Sequence, residues 1–308
     1  MNKINEILSQ LLSFLIVLLA TFTYFSPIHL DTASWVPSVL LGVVIFFTGL
    51  SMNMEAIRGI GSKKKEIFIA ALLKWTLTVL ISIALANLFF TAESEIAAGI
   101  ILSGTVPSAT AATLYTFLAG GNTALVIVGS LLDTAISPVV TVLAMMSIPR
   151  NQVVITFIDL FQSFLLIVIL PLSLGIFIQR VWPKSVDYSK NMTKFGSSLS
   201  LLLIVHIIVG EGKEAVATRL DVVPLMVGVI LIQVLLPMAL AYYIAKKWRT
   251  AEEDARAILF HVGLCNTALA AILAFEFIGE LGAVPPIINT IINLSLGALV
   301  SNYFRNKK

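Results

Sequence analysis

Phe260-His261-Val262-Gly263-Leu264-Cys265-Asn266-Thr267-Ala268-Leu269-Ala270-Ala271 sets a histidine, a glycine, a cysteine, an asparagine and a threonine inside a segment otherwise too apolar for water. In hydrocarbon an unpaired polar group costs on the order of several kcal/mol, so such a run survives only where protein buries it or a wet cavity borders it. It reads as the middle of a broken transmembrane helix, with Gly263 as the device that opens it. A second stretch, Ser103-Gly104-Thr105-Val106-Pro107-Ser108-Ala109-Thr110-Ala111-Ala112-Thr113, lies about half a chain earlier and has the same character. Pro107 is its breaking residue, and Thr110-Ala111 matches Thr267-Ala268. Two interrupted apolar segments in corresponding halves point to a transporter binding site near the bilayer midplane.

Composition agrees with that reading. The 308 residues are 58% hydrophobic and 12% charged, with a mean hydropathy of +0.98, whereas soluble domains carry roughly 25% charged residues. A net charge of +3, with no basic run longer than Lys63-Lys64-Lys65, excludes a nucleic-acid face. One cysteine excludes an intramolecular disulfide framework and any multi-cysteine metal site. Lys3 precedes a long apolar segment without a small-residue cleavage pattern, so a retained first helix is expected there rather than a signal peptide.

A span needs ~20 mainly apolar residues, and the chain supplies ten such segments. They run approximately Ile7 to Phe25, Trp35 to Met54, Glu66 to Phe90, Ile96 to Leu118, Thr123 to Met146, Val153 to Val181, Phe195 to Val209, Val222 to Ala245, Ala257 to Phe277 and Val284 to Phe304. Five spans per half is an odd number, so residues 151–308 must insert upside down relative to residues 1–150, the inverted-repeat plan. With a cytoplasmic N-terminus the inner side collects Lys3, Arg58, Lys63, Lys64, Lys65, Arg180, Lys184, Lys190, Lys194, Lys246, Lys247, Arg249, Arg256, Arg305, Lys307 and Lys308. The outer side keeps Arg150, Lys213 and Arg219. Both termini are therefore expected on the cytoplasmic side of an inner membrane. Ser147 to Gln152 forms the seam between halves, and a loop with Lys184, Asp187, Lys190 and Lys194 joins the sixth and seventh spans.

Pro37-Ser38-Val39-Leu40-Leu41-Gly42-Val43-Val44-Ile45-Phe46-Phe47-Thr48-Gly49-Leu50-Ser51, the two breaks, and Ile292-Asn293-Leu294-Ser295-Leu296-Gly297-Ala298-Leu299 together resemble the bile acid:sodium symporter family, in order and spacing, from the second span to the last. The resemblance implies an all-α polytopic membrane protein of ten helices in two inverted five-helix repeats. A panel of the first, second, sixth and seventh helices would stand against a core of the other six, with the fourth and ninth helices unwound where they cross. It also implies a secondary transporter of amphipathic organic anions, bile-acid-like or other carboxylates, driven in most members by sodium at that crossing.

The departures from the family bear on coupling. Where sodium-coupled members place side-chain oxygens after the fourth-helix break and early in the fifth helix, this chain has Ala112, Thr113, Val126 and Ser130. In place of a glutamate and a glutamine in the ninth-helix break, and a glutamine in the third helix, it has His261, Cys265 and Lys74; Asn266 alone is retained from the ninth-helix motif. A hard cation prefers several oxygen ligands to thiol or ammonium. We therefore expect the Lys74 ammonium to fill the volume of a missing sodium ion, with Asp133 as its carboxylate partner, one turn beyond Ser130 on the same helix face. Lys74, Asp133, Ser130, His261 and Cys265 form the expected coupling set. The coupling ion is then a proton or none, with sodium as the alternative.

Each of these residues also has a plainer explanation. Lys74 can snorkel from a shifted span, Asp133 can serve local hydroxyls and amides, His261 can be a hydrogen-bonded core histidine, and Cys265 a small space-filler. Thr110, Thr113, Asn266 and Thr267 border the breaks, where exposed backbone groups and helix N-termini suit a carboxylate; Asn289 and Asn293, four apart, share one helix face. These six are the expected substrate-binding residues, with ordinary helix-to-helix hydrogen bonding as the competing role. Asp159, Gln162, His206 and Gln233 can line a cavity between panel and core or bond neighbouring helices, and the second role is the one favoured. No His-Glu-x-x-His, Gly-x-Ser-x-Gly or paired aspartates occur, so no catalytic residue, metal site or cofactor is expected. The expectation is a monomeric transporter in a lipid bilayer that carries a small organic anion. A non-transporting receptor on the same scaffold is the reading from another class.

Overall fold

The computed structural model describes residues 2–27, 30, 32–33, 35–52, 60–91, 93–148 and 157–306. Arg58, Arg150, Lys307 and Lys308 of the charge count, and Pro149 to Gln152 of the seam, lie outside them. Among the described residues the chain is helical, without a strand: α1 (Asn2–Phe25), α2 (Val36–Leu50), α3 (Lys64–Phe89), α4 (Ser94–Thr105), α5 (Thr110–Leu118), α6 (Thr123–Met145), α7 (Phe157–Phe164, then Leu165–Ile169 and Leu170–Val181), α8 (Ser185–Ala217), α9 (Val223–Lys247), α10 (Glu252–Gly263), α11 (Thr267–Phe277) and α12 (Glu280–Arg305). Within these, Lys64–Phe89, Thr123–Met145, Ile158–Val181, Phe195–Glu214, Val223–Lys247 and Glu280–Arg305 are long and apolar enough to cross a membrane. The protein is a multi-pass membrane protein.

Between the sixth and seventh expected spans the structure differs from the expectation. Residues read as a loop, with Asp187, Lys190 and Lys194, are the opening turns of α8. No proline or glycine interrupts the sequence from Ser185 until Gly196, so polarity alone did not break the helix.

Two compact units divide the chain. The first, residues 1–52 and 158–218, holds α1, α2, α7 and α8. There Gly49 and Gly175 let α2 and α7 touch backbone to backbone: a Cβ at Gly175 would stand on the Phe46 carbonyl. His206 Nδ1 lies 2.7 Å from Thr23 Oγ1, and Gln179 Nε2 donates to the Met52 carbonyl at 2.7 Å.

The second unit, residues 53–157 and 219–308, holds α3 to α6 and α9 to α12. Lys74–Thr78, in the middle of α3, form one π-helical turn, whose extra residue re-aims the side chains around it. At the start of α10, Glu252, Glu253 and Asp254 meet the positive helix end. Asp254 accepts from Lys63 at 2.5 Å and from Asn122 Nδ2 at 2.8 Å.

Glu93, just ahead of α4, pairs with Arg219, just ahead of α9. The hydrogen bond from Arg219 holds the Glu93 carboxyl below the usual carboxylate range, against a smaller upward push from burial. With a depressed folded pKa, the stabilisation is complete above the ordinary glutamate value of ~4.3 and is lost as pH falls through the folded value. Glu93→Gln should therefore melt lower than the parent at pH 7 in detergent, with the gap closing between pH 5 and pH 3, values bracketed about that ordinary pKa. A gap independent of pH would contradict this pairing.

Candidate functional site: the crossing of two broken helices

The second unit is built around two gaps. Helix α4 stops at Thr105, Val106 and Ala109 are extended, and α5 starts at Thr110. Pro107 has no N–H to continue the ladder and forces its predecessor out of the helical region. Helix α10 stops at Gly263, Leu264 is extended, and α11 starts at Thr267. A Cβ at Gly263 would run into the Met238 side chain of α9, so glycine is what allows this approach.

The two links pair with one another. Ser108 and Cys265 form an antiparallel bridge, the Ala109 N–H donates to the Leu264 carbonyl at 2.8 Å, and the Asn266 N–H donates to the Pro107 carbonyl at 2.8 Å. Each break thus satisfies the backbone groups that the other exposes, which permits non-helical chain at membrane depth. Hydroxyls take the carbonyls left at the helix ends: Ser137 Oγ and Thr141 Oγ1 donate to Thr105 at 2.5 and 3.2 Å, and Thr78 Oγ1 donates to Val262 at 2.8 Å. Asn266 caps α11 by accepting from the Leu269 N–H at 3.3 Å.

Four ionisable side chains converge on these links. Lys74, Asp133 and His261 are 0% exposed and Cys265 is 4% exposed. Lys74 Nζ donates to Cys265 Sγ at 2.7 Å. Asp133 Oδ2 accepts from the Ser108 N–H at 3.1 Å and lies 3.4 Å from His261 Nε2. Gly129, one turn before Asp133 on α6, leaves room for the imidazole; a Cβ there would stand 2.6 Å from His261 Cε1.

The expected direct pair of Lys74 with Asp133 is not what the structure shows. The ammonium reaches the thiol and the carboxylate faces the imidazole, because the π-helical turn aims Lys74 at the second link while Asp133 is drawn to the backbone of the first. Snorkelling of Lys74 to an interface is excluded by its complete burial.

The remaining expected residues scatter more widely. Asn293 Nδ2 donates to the Cys265 carbonyl at 3.2 Å, which places it at the crossing. Thr267 Oγ1 is 2.8 Å from Thr290 Oγ1. Asn289 donates to Gln233 Oε1 at 3.1 Å, and Gln233 in turn donates to Ser82 Oγ and the Ile100 carbonyl; Asn289 therefore belongs to a helix-bridging chain rather than to the links. Thr110 is exposed, while Thr113 and Ser130 are half-buried. Thr78, Ser108, Ser137 and Thr141 complete the crossing, yet none was expected to. The signal was present: Asp133, Ser137 and Thr141 recur every four residues, and Thr78 follows Lys74 by four, so each set shares a helix face.

Chemically, the arrangement brings together the amine of Lys74, the carboxyl of Asp133, the thiol of Cys265 and the imidazole of His261, all buried. Among the described residues no group of three or more His, Cys, Asp or Glu side chains is arranged to hold a metal ion. Residues 38–219 match the family described as the Sodium Bile acid symporter family. A Bacillus subtilis (strain 168) protein named uncharacterized sodium-dependent transporter YocS is 26% identical over 99% of this chain and 94% of its own length. The probable sodium/metabolite cotransporter BASS1, chloroplastic, of Arabidopsis thaliana is 25% identical over 89% of this chain and 69% of its own. A rice protein (Oryza sativa subsp. japonica) named probable sodium/metabolite cotransporter BASS2, chloroplastic, is 23% identical over 99% and 73%.

Proposed function

This chain belongs to the sodium bile acid symporter family and is a membrane transporter, not an enzyme; from that premise we propose that it carries a small amphipathic organic anion by alternating access, with the Lys74 ammonium in place of a mobile sodium ion. The observation that carries the reading is the complete burial of Lys74 at the paired links, with its nitrogen on Cys265. Thiol and ammonium are poor company for a hard cation. A fixed positive charge there supplies the electrostatic balance that Asp133 needs, and leaves a proton, or no ion, as the coupling species.

The grouping of α1, α2, α7 and α8 into one unit and the other helices into a second supports a panel and a core. The paired breaks of α4/α5 and α10/α11 support a ten-span chain of two inverted repeats, residues 1–150 and 151–308. Both termini then face the cytoplasm at the inner membrane, and the unit of transport is a monomer. The anion's carboxylate head would find Thr110, Thr113, Asn266, Thr267 and Asn293 at the starts of α5 and α11 and beside the second link. Sodium coupling is the second reading, favoured by the printed names of the relatives above.

Uptake into proteoliposomes separates the two. With a panel of labelled steroid and short-chain carboxylates, an inward proton gradient should drive accumulation, and replacing sodium with choline should leave it unchanged. A strict sodium requirement, with no response to the proton gradient, would return the second reading. Binding without counterflow would make the protein a receptor.

A further inference from the structure

We infer that the His261–Asp133 pair is the seat of the coupled proton, and that Lys74, bonded to the Cys265 thiol, is a fixed charge that does not carry it. The inference rests on the proton-coupled reading given above and assigns that reading's ion to two named side chains.

Of the four ionisable groups at the crossing, Lys74 and Cys265 are bonded to each other, whereas His261 and one oxygen of Asp133 are left open. Lys74 Nζ is bonded to Cys265 Sγ, and Cys265 is held on both sides, through its bridge to Ser108 and its carbonyl's bond from Asn293. His261 Nδ1 and Nε2 and Asp133 Oδ1 have no hydrogen-bond partner in the protein, although all three are fully buried. A buried polar atom without a partner is costly, so one in a native interior calls for a purpose. The Nε2 to Oδ2 separation of 3.4 Å is an ion-pair approach that lacks hydrogen-bond geometry. The neutral ring has one N–H and one bare nitrogen; one added proton makes both nitrogens donors and charges the ring, and a slight closure turns that approach into a charge-assisted bond.

The pair also touches both links of the crossing. Asp133 Oδ2 holds the Ser108 N–H of the first link, while His261 stands two residues before Gly263, where α10 ends at the second link. Protonation that draws Asp133 toward His261 therefore pulls on the Ser108 N–H of the first link, next to the Ala109 N–H that donates across to the second. The charged groups facing this imidazole are Asp133 from α6 and Lys74 from the π-helical turn of α3. Of the other helices packed on α10, α5 sets Tyr115 against Phe260, and α9 sets Tyr242 on Glu252 at the opposite end of α10. The cluster of Lys63, Glu253, Asp254 and Arg256 lies at that same far end.

The test is ¹⁵N-imidazole NMR of the full chain in detergent, labelled at histidine. The chain has three histidines, His29, His206 and His261, so subtraction of a His261→Gln spectrum assigns the relevant signals. The inference expects His261 to take up a proton reversibly, and Asp133→Asn to weaken that uptake by at least ~tenfold, the effect of losing an opposite charge at this distance. Gly129→Ala, which crowds the ring without altering any charge, should move the same signals and leave those of His29 and His206 in place. An imidazole that stays in one protonation state from pH 4.5 to 9, or whose titration ignores both substitutions, would overturn the inference. A titrating pair in a protein whose transport follows sodium and not protons would instead remove the proton-coupled reading while the proton site itself stands.

Discussion

Lys74→Gln is expected to lower the unfolding midpoint of the detergent-solubilised protein sharply, by the ~3–5 kcal/mol that follows when one partner of a buried charge arrangement is removed. The glutamine is uncharged and one bond shorter, so the loss combines the charge with the hydrogen bond to Cys265 Sγ, and the cycle with Asp133 separates the two. Asp133, 0% exposed and with one oxygen lacking a hydrogen-bond partner, would then be a carboxylate with no fixed cation in the crossing. Asp133→Asn should cost a comparable amount by stranding the ammonium. The double variant should cost clearly less than the sum of the two, since it removes both charges together. Lys74 and Asp133 are joined through the crossing and not by a direct bond, so the coupling is electrostatic, and a double-mutant cycle isolates it. Strict additivity would mean that the two charges do not serve one another.

Gly99→Ala is expected to be the most damaging of the small substitutions in the second unit. Its Cβ would stand on the carbonyl oxygen of Gly282 and close to Pro285, so α4 and α12 must part along their backbones. Overpacking a fitted contact costs typically ~1–3 kcal/mol, and a backbone obstacle that cannot rotate away belongs at or above the top of that range. Gly228 in α9 is the control: nothing lies within 4 Å of a Cβ built there. Gly228→Ala should therefore stabilise the protein by the ~0.5–1 kcal/mol that a mid-helix glycine forfeits. Thermal unfolding of the two variants beside the parent checks both signs, and equal effects would refute the close approach of α4 and α12.

The breaks were legible because polar residues crowd two short windows of otherwise unbroken hydrophobicity, and because Pro107 and Gly263 are residues with a mechanical reason to end a helix. Their pairing was not legible in detail, since an antiparallel bridge between Ser108 and Cys265 joins residues far apart in sequence. The unit that gathers α1, α2, α7 and α8 from two distant segments has the membership that the family resemblance implies for a panel, although no local pattern in those segments encodes it. Lys74, His261 and Cys265 stand out as departures from the sodium ligands that the family resemblance implies, and Asp133 as the carboxylate that a buried ammonium needs. The expected direct pair of Lys74 with Asp133 does not form, because a π-helical turn shifts side-chain direction in a way that a regular helical period does not encode. Ser137 and Thr141 went unrecognised although their spacing from Asp133 places all three on one face of α6. Polar stripes of serine and threonine also serve plain helix contacts, and nothing local separates the two uses.

The central claim, that a fixed ammonium does the work of a mobile cation, is tested most directly by titrating sodium against thermal stability at constant ionic strength, with choline as the replacement. Binding to the folded state alone raises stability by RT ln(1 + [L]/Kd), ~1.4 kcal/mol at ten times Kd. The account predicts no saturable stabilisation of the parent protein by sodium. It predicts a sodium-dependent gain in Lys74→Gln, where the vacated space, Asp133 and the link oxygens are left to a small cation. Saturable stabilisation of the parent by sodium, abolished in Lys74→Gln, would contradict it.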